Sequence, residues 1–285
     1  MALTKLEERL LREIHEWENQ LARYEPNDFQ LTFEKYFEQS FSMLPDEIQQ
    51  QFFSAIDNWL FHLHAMIQGS QLQANEKERI LSAAQVFNPS IETIKDLKTL
   101  ELNQLQYIAQ QQIARHRFYS FAQGGLSGSG SSALLGMDIP AMAVINLRAI
   151  QLIAMSFGFE PNTPYEMMTS LKIFHAATVP KRMQHAAWKE IIADFHVGPE
   201  PYFYEGSEAI IEAAWMEQPL QQMLKAMVIY LFRQKTVQGI PMLSIAIGAG
   251  MNYRFTKKTT TFAHHYYLLR FMQEKEESFD EYSRT

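Results

Sequence analysis

From the start of the chain, apolar side chains recur at Leu3, Leu6, Leu10, Ile14, Trp17 and Leu21, with charged residues between them. Spacings of three and four stack these groups on one face of a helix, because a turn takes 3.6 residues. The same period governs most of the chain, and few stretches alternate in the manner of a strand. The pattern therefore predicts an all-α fold, a single multi-helix bundle with a buried central apolar helix and glycine-rich connections between helices.

Breakers divide the pattern. Glu25-Pro26-Asn27-Asp28 ends the first helix, a second runs to about Phe41, and Leu44-Pro45-Asp46-Glu47 opens a third that Gly69 ends. Asn75 is read as the cap of a helix reaching Phe87, where Asn88-Pro89-Ser90 interrupts; a short helix from Ser90 and a longer one over 101–123 follow, ending at Gly124 and Gly125. Asp138 is the expected N-cap of the central helix, with Pro140 in its first turn and Gly158 at its close. Thr163-Pro164 starts the next helix, and Val179-Pro180 marks a boundary before a helix over 182–195. One domain over 1–272 is expected, with a candidate subdomain boundary at 196–207. The charged tail over 273–285 has few core formers and is expected to fray.

The central apolar run, 139–159, is long enough to reach across a bilayer at about 1.5 Å per residue. It carries Asn146, Arg148 and Gln151 at its middle, and a central arginine costs about 2.5–3.5 kcal/mol on insertion scales. A second apolar stretch, 239–255, is too short to span. Both are read as helices buried in protein and packed on each other. The 285 residues hold no cysteine, which excludes disulfides and thiolate metal sites and agrees with a cytoplasmic location. The amphipathic first helix lacks the uninterrupted apolar core of a secretory signal.

Charge is segregated. From 218 to 273 there are seven basic residues and no acid, so the remainder of the chain is twice as acidic as the overall −7. An acidic remainder argues against nonspecific nucleic-acid binding. Two readings of the basic stretch stand: it docks on the acidic N-terminal third, or it meets an anionic membrane surface, peripherally at the inner face of the cell membrane. The candidate binding residues are Asp138 and Arg148 on the central helix, and Asn252, Arg254, Lys257 and Lys258 beside the second apolar stretch. Arg148 must find a carboxylate, carbonyls or a bound anion, since burying it unpaired costs several kcal/mol. Its expected protein partners are Asp138 and Glu166.

No recognised catalytic apparatus is present. Gly128-Ser129-Gly130-Ser131-Ser132-Ala133 satisfies a dinucleotide-binding spacing, but a helix precedes it and no acid follows at the required distance, so no cofactor is implied. A serine hydrolase is the alternative to a non-enzymatic protein: Ser127 or Ser129 as nucleophile, His116 as base, although the loop lacks the final glycine and the strand of a nucleophile elbow. The histidines include no chelating spacing, and no metal site is expected; most are read as surface or interface residues. Ala246 and Gly250 form a small-xxx-small pair that allows close helix approach, or a narrow groove for an amphiphile.

These segments together resemble the EcsC family, bacterial proteins named for a gene beside an ABC transporter operon. The resemblance rests on Ile14-His15-Glu16-Trp17, Gln123-Gly124-Gly125, Asp138-Ile139-Pro140 with Asn146-Leu147-Arg148-Ala149-Ile150, Phe157-Gly158-Phe159, and the run from Ile240 through Phe255 to Ala263, Tyr267 and Arg270. It departs at Phe157, where tyrosine is expected. The resemblance implies a mostly helical cytoplasmic protein associated with transporter and membrane physiology, with an ABC transporter subunit among its expected partners, and it implies no catalytic residue.

Overall fold

A computed structural model of the chain describes residues 4–26, 28, 71–127, 132–197 and 244–284. Its helices are α1 (Lys5–Ala22), α2 (Gln71–Gln85), α3 (Leu102–Ser127), α4 (Ser132–Ser156), α5 (Pro164–Thr178), α6 (Gln184–Val197) and α7 (Ser244–Arg284), with 3-10 turns at Lys95–Thr99 and Lys181–Met183. No strand occurs among the described residues. The second and third helices expected before Gly69, the loop at 196–207 beyond Val197, and Ser129 with its neighbouring glycines lie outside the described residues.

Local chemistry sets the helix starts. Thr4 caps α1 with a reciprocal box: its hydroxyl accepts from the Glu7 N–H at 3.2 Å, and the Glu7 carboxylate accepts from the Thr4 N–H at 2.7 Å. Thr163 caps α5 in the same sense, accepting from the Glu166 N–H at 3.2 Å, with Pro164 in the first turn where a missing N–H is harmless. At the end of α4 the Phe159 N–H reaches the Ala154 carbonyl and the Gly158 N–H reaches Met155, both at 3.0 Å. This closure needs a left-handed residue, and Gly158 supplies it with φ of 85°.

From Met142 onward α4 is largely immersed in protein. Leu147, Ala149, Ile150, Leu152, Ile153, Ala154 and Met155 are all buried, as are Asn146, Gln151 and Ser156. Asn146 and Ser156 turn back to donate to the carbonyls of Met142 and Leu152, each at 2.7 Å, which satisfies these donors inside the helix. Among the described residues no helix is long and apolar enough to cross a membrane.

α7 is the spine of the bundle. Its 41 residues extend about 60 Å. It packs most extensively along α3 and also against α4 and α5; at the end of α4 the ring contacts join Phe157 to His264 and Phe271, beyond the apolar stretch that ends at Phe255. Gln106 of α3 meets His264, and Ser120 meets Asn252, so α3 and α7 run antiparallel. α1 lays Leu10, Ile14 and Leu21 into the core, and Trp17 sits edge-on against Trp188 at 4.9 Å and Phe262 at 4.8 Å. The Trp188 indole donates to Glu18 at 2.6 Å, which ties α1 to α6.

Several expectations are corrected. Asp138 is not an N-cap: α4 begins at Ser132, so Asp138 and Pro140 lie within the helix. Asn75 likewise lies inside α2, and Gly124 and Gly125 belong to the last turns of α3. The expectation for the charged tail is a separate matter: its backbone is helical to Arg284, and its start meets the bundle through Arg270 with Glu274, Lys98 with Glu274, and Lys275 with Glu7.

Candidate functional site

Two polar assemblies flank α3. The first joins α3 to the N-terminal half of α7. Ser120 donates to the Asn252 carbonyl at 2.9 Å, Thr256 donates to the Ser120 hydroxyl at 2.6 Å, and Thr260 donates to the Thr256 carbonyl at 2.8 Å. Arg117 extends this ladder, its Nε donating to Thr260 at 3.0 Å and its guanidinium reaching the Lys257 carbonyl at 3.4 Å. Ser120, Asn252, Thr256 and Thr260 are buried. Hydroxyls that bond across the helix pair or back to their own helix need no water, so α3 and α7 are locked side by side at this end.

That locking fixes what stands outside it. On α3 the inward face carries Leu105, Ile108, Ala109, Ile113 and Ser120, whereas Tyr107, Phe118 and Phe121 fall on the opposite, outward face. Phe118 is 65% exposed and Phe121 49% exposed, and Tyr253, Arg254 and Lys257 of α7 are exposed as well. Lys258 is different: it is half-buried, and burial, followed by the charge of Lys181, lowers its ammonium to about 8. Of the residues singled out in the sequence, Asn252 is a buried support, Arg254 and Lys257 are exposed, and Lys258, one turn on from Arg254, is half-buried within reach of the Lys181 charge.

The second assembly lies between α2, α3 and α4, and it contains Arg148. Among the described residues it pairs with Glu76, with Nη1 to Oε2 at 4.0 Å, and not with the expected Asp138 or Glu166. Asp138 is ten positions away on the same helix, about 15 Å along its axis. Glu166 is engaged elsewhere, paired with Arg270 and accepting from Tyr267 at 3.0 Å. Glu76 Oε1 also approaches Arg79 Nη2 at 3.6 Å and His116 Nε2 at 3.9 Å. Burial raises the Glu76 carboxyl, while Arg148, Arg79 and Arg115 pull it down. His116 is held down to about 4, first by burial and then by Arg148, Arg115 and Arg79, so its ring is neutral near pH 7.

His116 and Ser127 do not form a base and nucleophile. They are eleven positions apart in one helix, roughly 16 Å along its axis, far beyond hydrogen-bond reach. The nearby carboxylate that a sequence cannot show for His116 is Glu76, on another helix. Among the described histidines, His116 and His264 are buried, and His265 lies edge-on against Trp17 at 4.5 Å. Among the described residues no group of histidine, aspartate or glutamate is arranged to hold a metal ion.

Sequence reasoning missed Glu76, Arg79, Arg115, Phe118 and Phe121. The last two carried a usable signal, since Tyr107 and Phe118 are eleven residues apart, three helical turns, and fall opposite the apolar face of α3.

A Bacillus subtilis (strain 168) relative, the uncharacterized protein YdbA, is 25% identical over 182 residues, which span 60% of this chain and 63% of the relative's length. No solved structure matches the chain. Residues 8–272, carrying α1 through most of α7 and both polar assemblies, match one family along their whole extent, and the chain belongs to the EcsC protein family.

Proposed function

We propose that this is a non-enzymatic accessory protein that docks peripherally on an anionic membrane surface through the outward face of α3 and the adjoining rim of α7. The observation that carries the reading is that Phe118 and Phe121 of α3 and Tyr253, Arg254 and Lys257 of α7 are all exposed on two helices locked together by the Ser120, Thr256 and Arg117 bonds. Single exposed aromatics are ordinary, but aromatics gathered beside cations suit the water–lipid boundary, where rings enter the headgroup layer and basic groups meet acidic lipid. Each basic group near such a surface contributes about 1 kcal/mol, so two cations and a few rings give weak, reversible attachment. The rigidity of the support favours this reading, because the face needs no refolding to dock.

Association with transporter physiology follows from the family likeness alone, and a transporter subunit is the competing occupant of the same face. Co-sedimentation with vesicles separates them. Vesicles containing phosphatidylglycerol are expected to carry the protein down at low salt and release it at high salt, while neutral phosphatidylcholine vesicles do not. F118S/F121S and R254Q/K257Q are each expected to abolish the binding. Absence of binding to acidic vesicles at low salt contradicts the proposal.

A further inference from the structure

The assembly around Glu76 differs from the other long-range ion pairs among the described residues. Lys77 with Glu160 and Lys275 with Glu7 close to 3.0 and 3.1 Å, and Arg270 closes fully on Glu166. Glu76 instead stands 3.6 to 4.0 Å from Arg79, His116 and Arg148, beyond hydrogen-bond length to each. Three guanidinium groups, counting Arg115, surround this one carboxylate. Even without Arg148, two guanidinium groups, Arg79 and Arg115, act on this one carboxylate.

Donor capacity is also left over. His116 is 3% exposed, and neither of its ring nitrogens makes a hydrogen bond; Arg115 Nη1 is buried in the same condition. Buried donors without acceptors cost about 1–3 kcal/mol each, more for charged groups, so a pattern of several in one place calls for an acceptor-rich partner. The exposed members of the group are Arg79, whose side chain is 45% exposed, and Tyr119, which lies edge-on to His116 at 5.7 Å.

We infer that Arg79, Arg115, His116 and Arg148 form a binding site for a phosphate-type oxyanion, either inorganic phosphate or the phosphate of a lipid headgroup. The chemistry matches: a tetrahedral oxyanion offers acceptors in several directions, guanidinium forks bind such oxygens well, and a neutral imidazole adds one N–H without further charge. Glu76 holds the arginines apart and in place when the site is empty, and its carboxyl, already raised by burial, takes up a proton more readily once an anion is beside it. With a lipid phosphate the inference rests on the membrane reading above; with inorganic phosphate it stands without it.

The test is calorimetric titration of the full chain with inorganic phosphate and, separately, with short-chain lysophosphatidic acid below its micelle concentration. Saturable binding of either probe is expected, weakened about tenfold by R115Q and by R79Q, the loss of one charge-assisted contact. R79Q removes a half-exposed side chain and keeps the folded state as a control. The His116 ring resonance is expected to move on titration, and H116Q to remove that signal. Binding of inorganic phosphate identifies the free anion, and binding of the lysolipid alone identifies the headgroup. R254Q/K257Q is expected to leave probe affinity unchanged, so a failed vesicle experiment and a failed phosphate site remain distinguishable. No binding of either probe, or binding indifferent to both R79Q and R115Q, overturns the inference.

Discussion

Arg270 of α7 closes on Glu166 of α5 in a buried ion pair, and Tyr267, nearly one turn earlier, donates to the same carboxylate at 3.0 Å. The pair fastens the first turn of α5 to the spine of the bundle. Burial raises the Glu166 carboxyl, and the Arg270 charge opposes that rise. Removing one member leaves the other desolvated and unpaired, the case in which buried pairs matter most. R270M is expected to cost about 3–5 kcal/mol, and E166Q/R270M to recover part of it, as measured by urea unfolding. A double variant as unstable as R270M argues against an unpaired charge as the cause.

Gly158 sets a second expectation. A Cβ there would lie 2.6 Å from Lys98 Cγ and 3.2 Å from the Lys98 nitrogen, in a backbone conformation that side chains disfavour. The next residue, Phe159, has Lys98 at 4.3 Å and Arg270 at 4.1 Å from its ring centroid, so any shift of this turn disturbs both cations. G158A is expected to destabilise the protein by about 1–3 kcal/mol, read from the shift in denaturation midpoint.

Acid sensitivity follows from buried histidines. His264 is lowered to about 4 by burial and then by Arg117, His265 to about 3 by burial and then by His264, and His116 to about 4. An unfolded histidine takes up its proton near 6.5, but these folded ones do so only near 4 or below. Their stabilisation is therefore complete above about 6.5 and is lost as the pH falls through the interval down to about 4. Glu76 and Glu166, raised by burial, act in the opposite sense, favouring the folded state below the ordinary carboxyl value and losing that contribution as pH rises. Three lowered histidines stand against two raised carboxyls, and as the pH falls from about 7 to 5 the histidine contribution is the one that is lost. The urea midpoint is expected to fall across this interval, and H265F to flatten the fall. A midpoint independent of pH contradicts the burial argument.

What was legible in the chain was local. The spacing of Leu10, Ile14, Trp17 and Leu21, the Thr163-Pro164 start, the Val179-Pro180 stop and the glycine at 158 each act within a turn or two, and the structure uses them as read. The start of α4 was misplaced because Asp138 has the side chain of a cap while six residues before it are already helical. The tail after Gln273 reads as loose by composition, which shows nothing of Lys275 reaching Glu7 near the other end of the chain at 3.1 Å. Arg148 illustrates the same limit. Its partner Glu76 lies on a separate helix, and only tertiary packing joins them.

The membrane-facing claim is tested most directly by a depth measurement. The chain has no cysteine, so F118C carries a single spin label without further change, and R9C, on the exposed side of α1, serves as reference. With phosphatidylglycerol-containing vesicles at low salt, the label at 118 is expected to lose access to a water-soluble relaxation agent and gain access to oxygen, while the label at 9 changes little. A label at 118 that stays equally open to the aqueous agent while the protein is vesicle-bound contradicts the account.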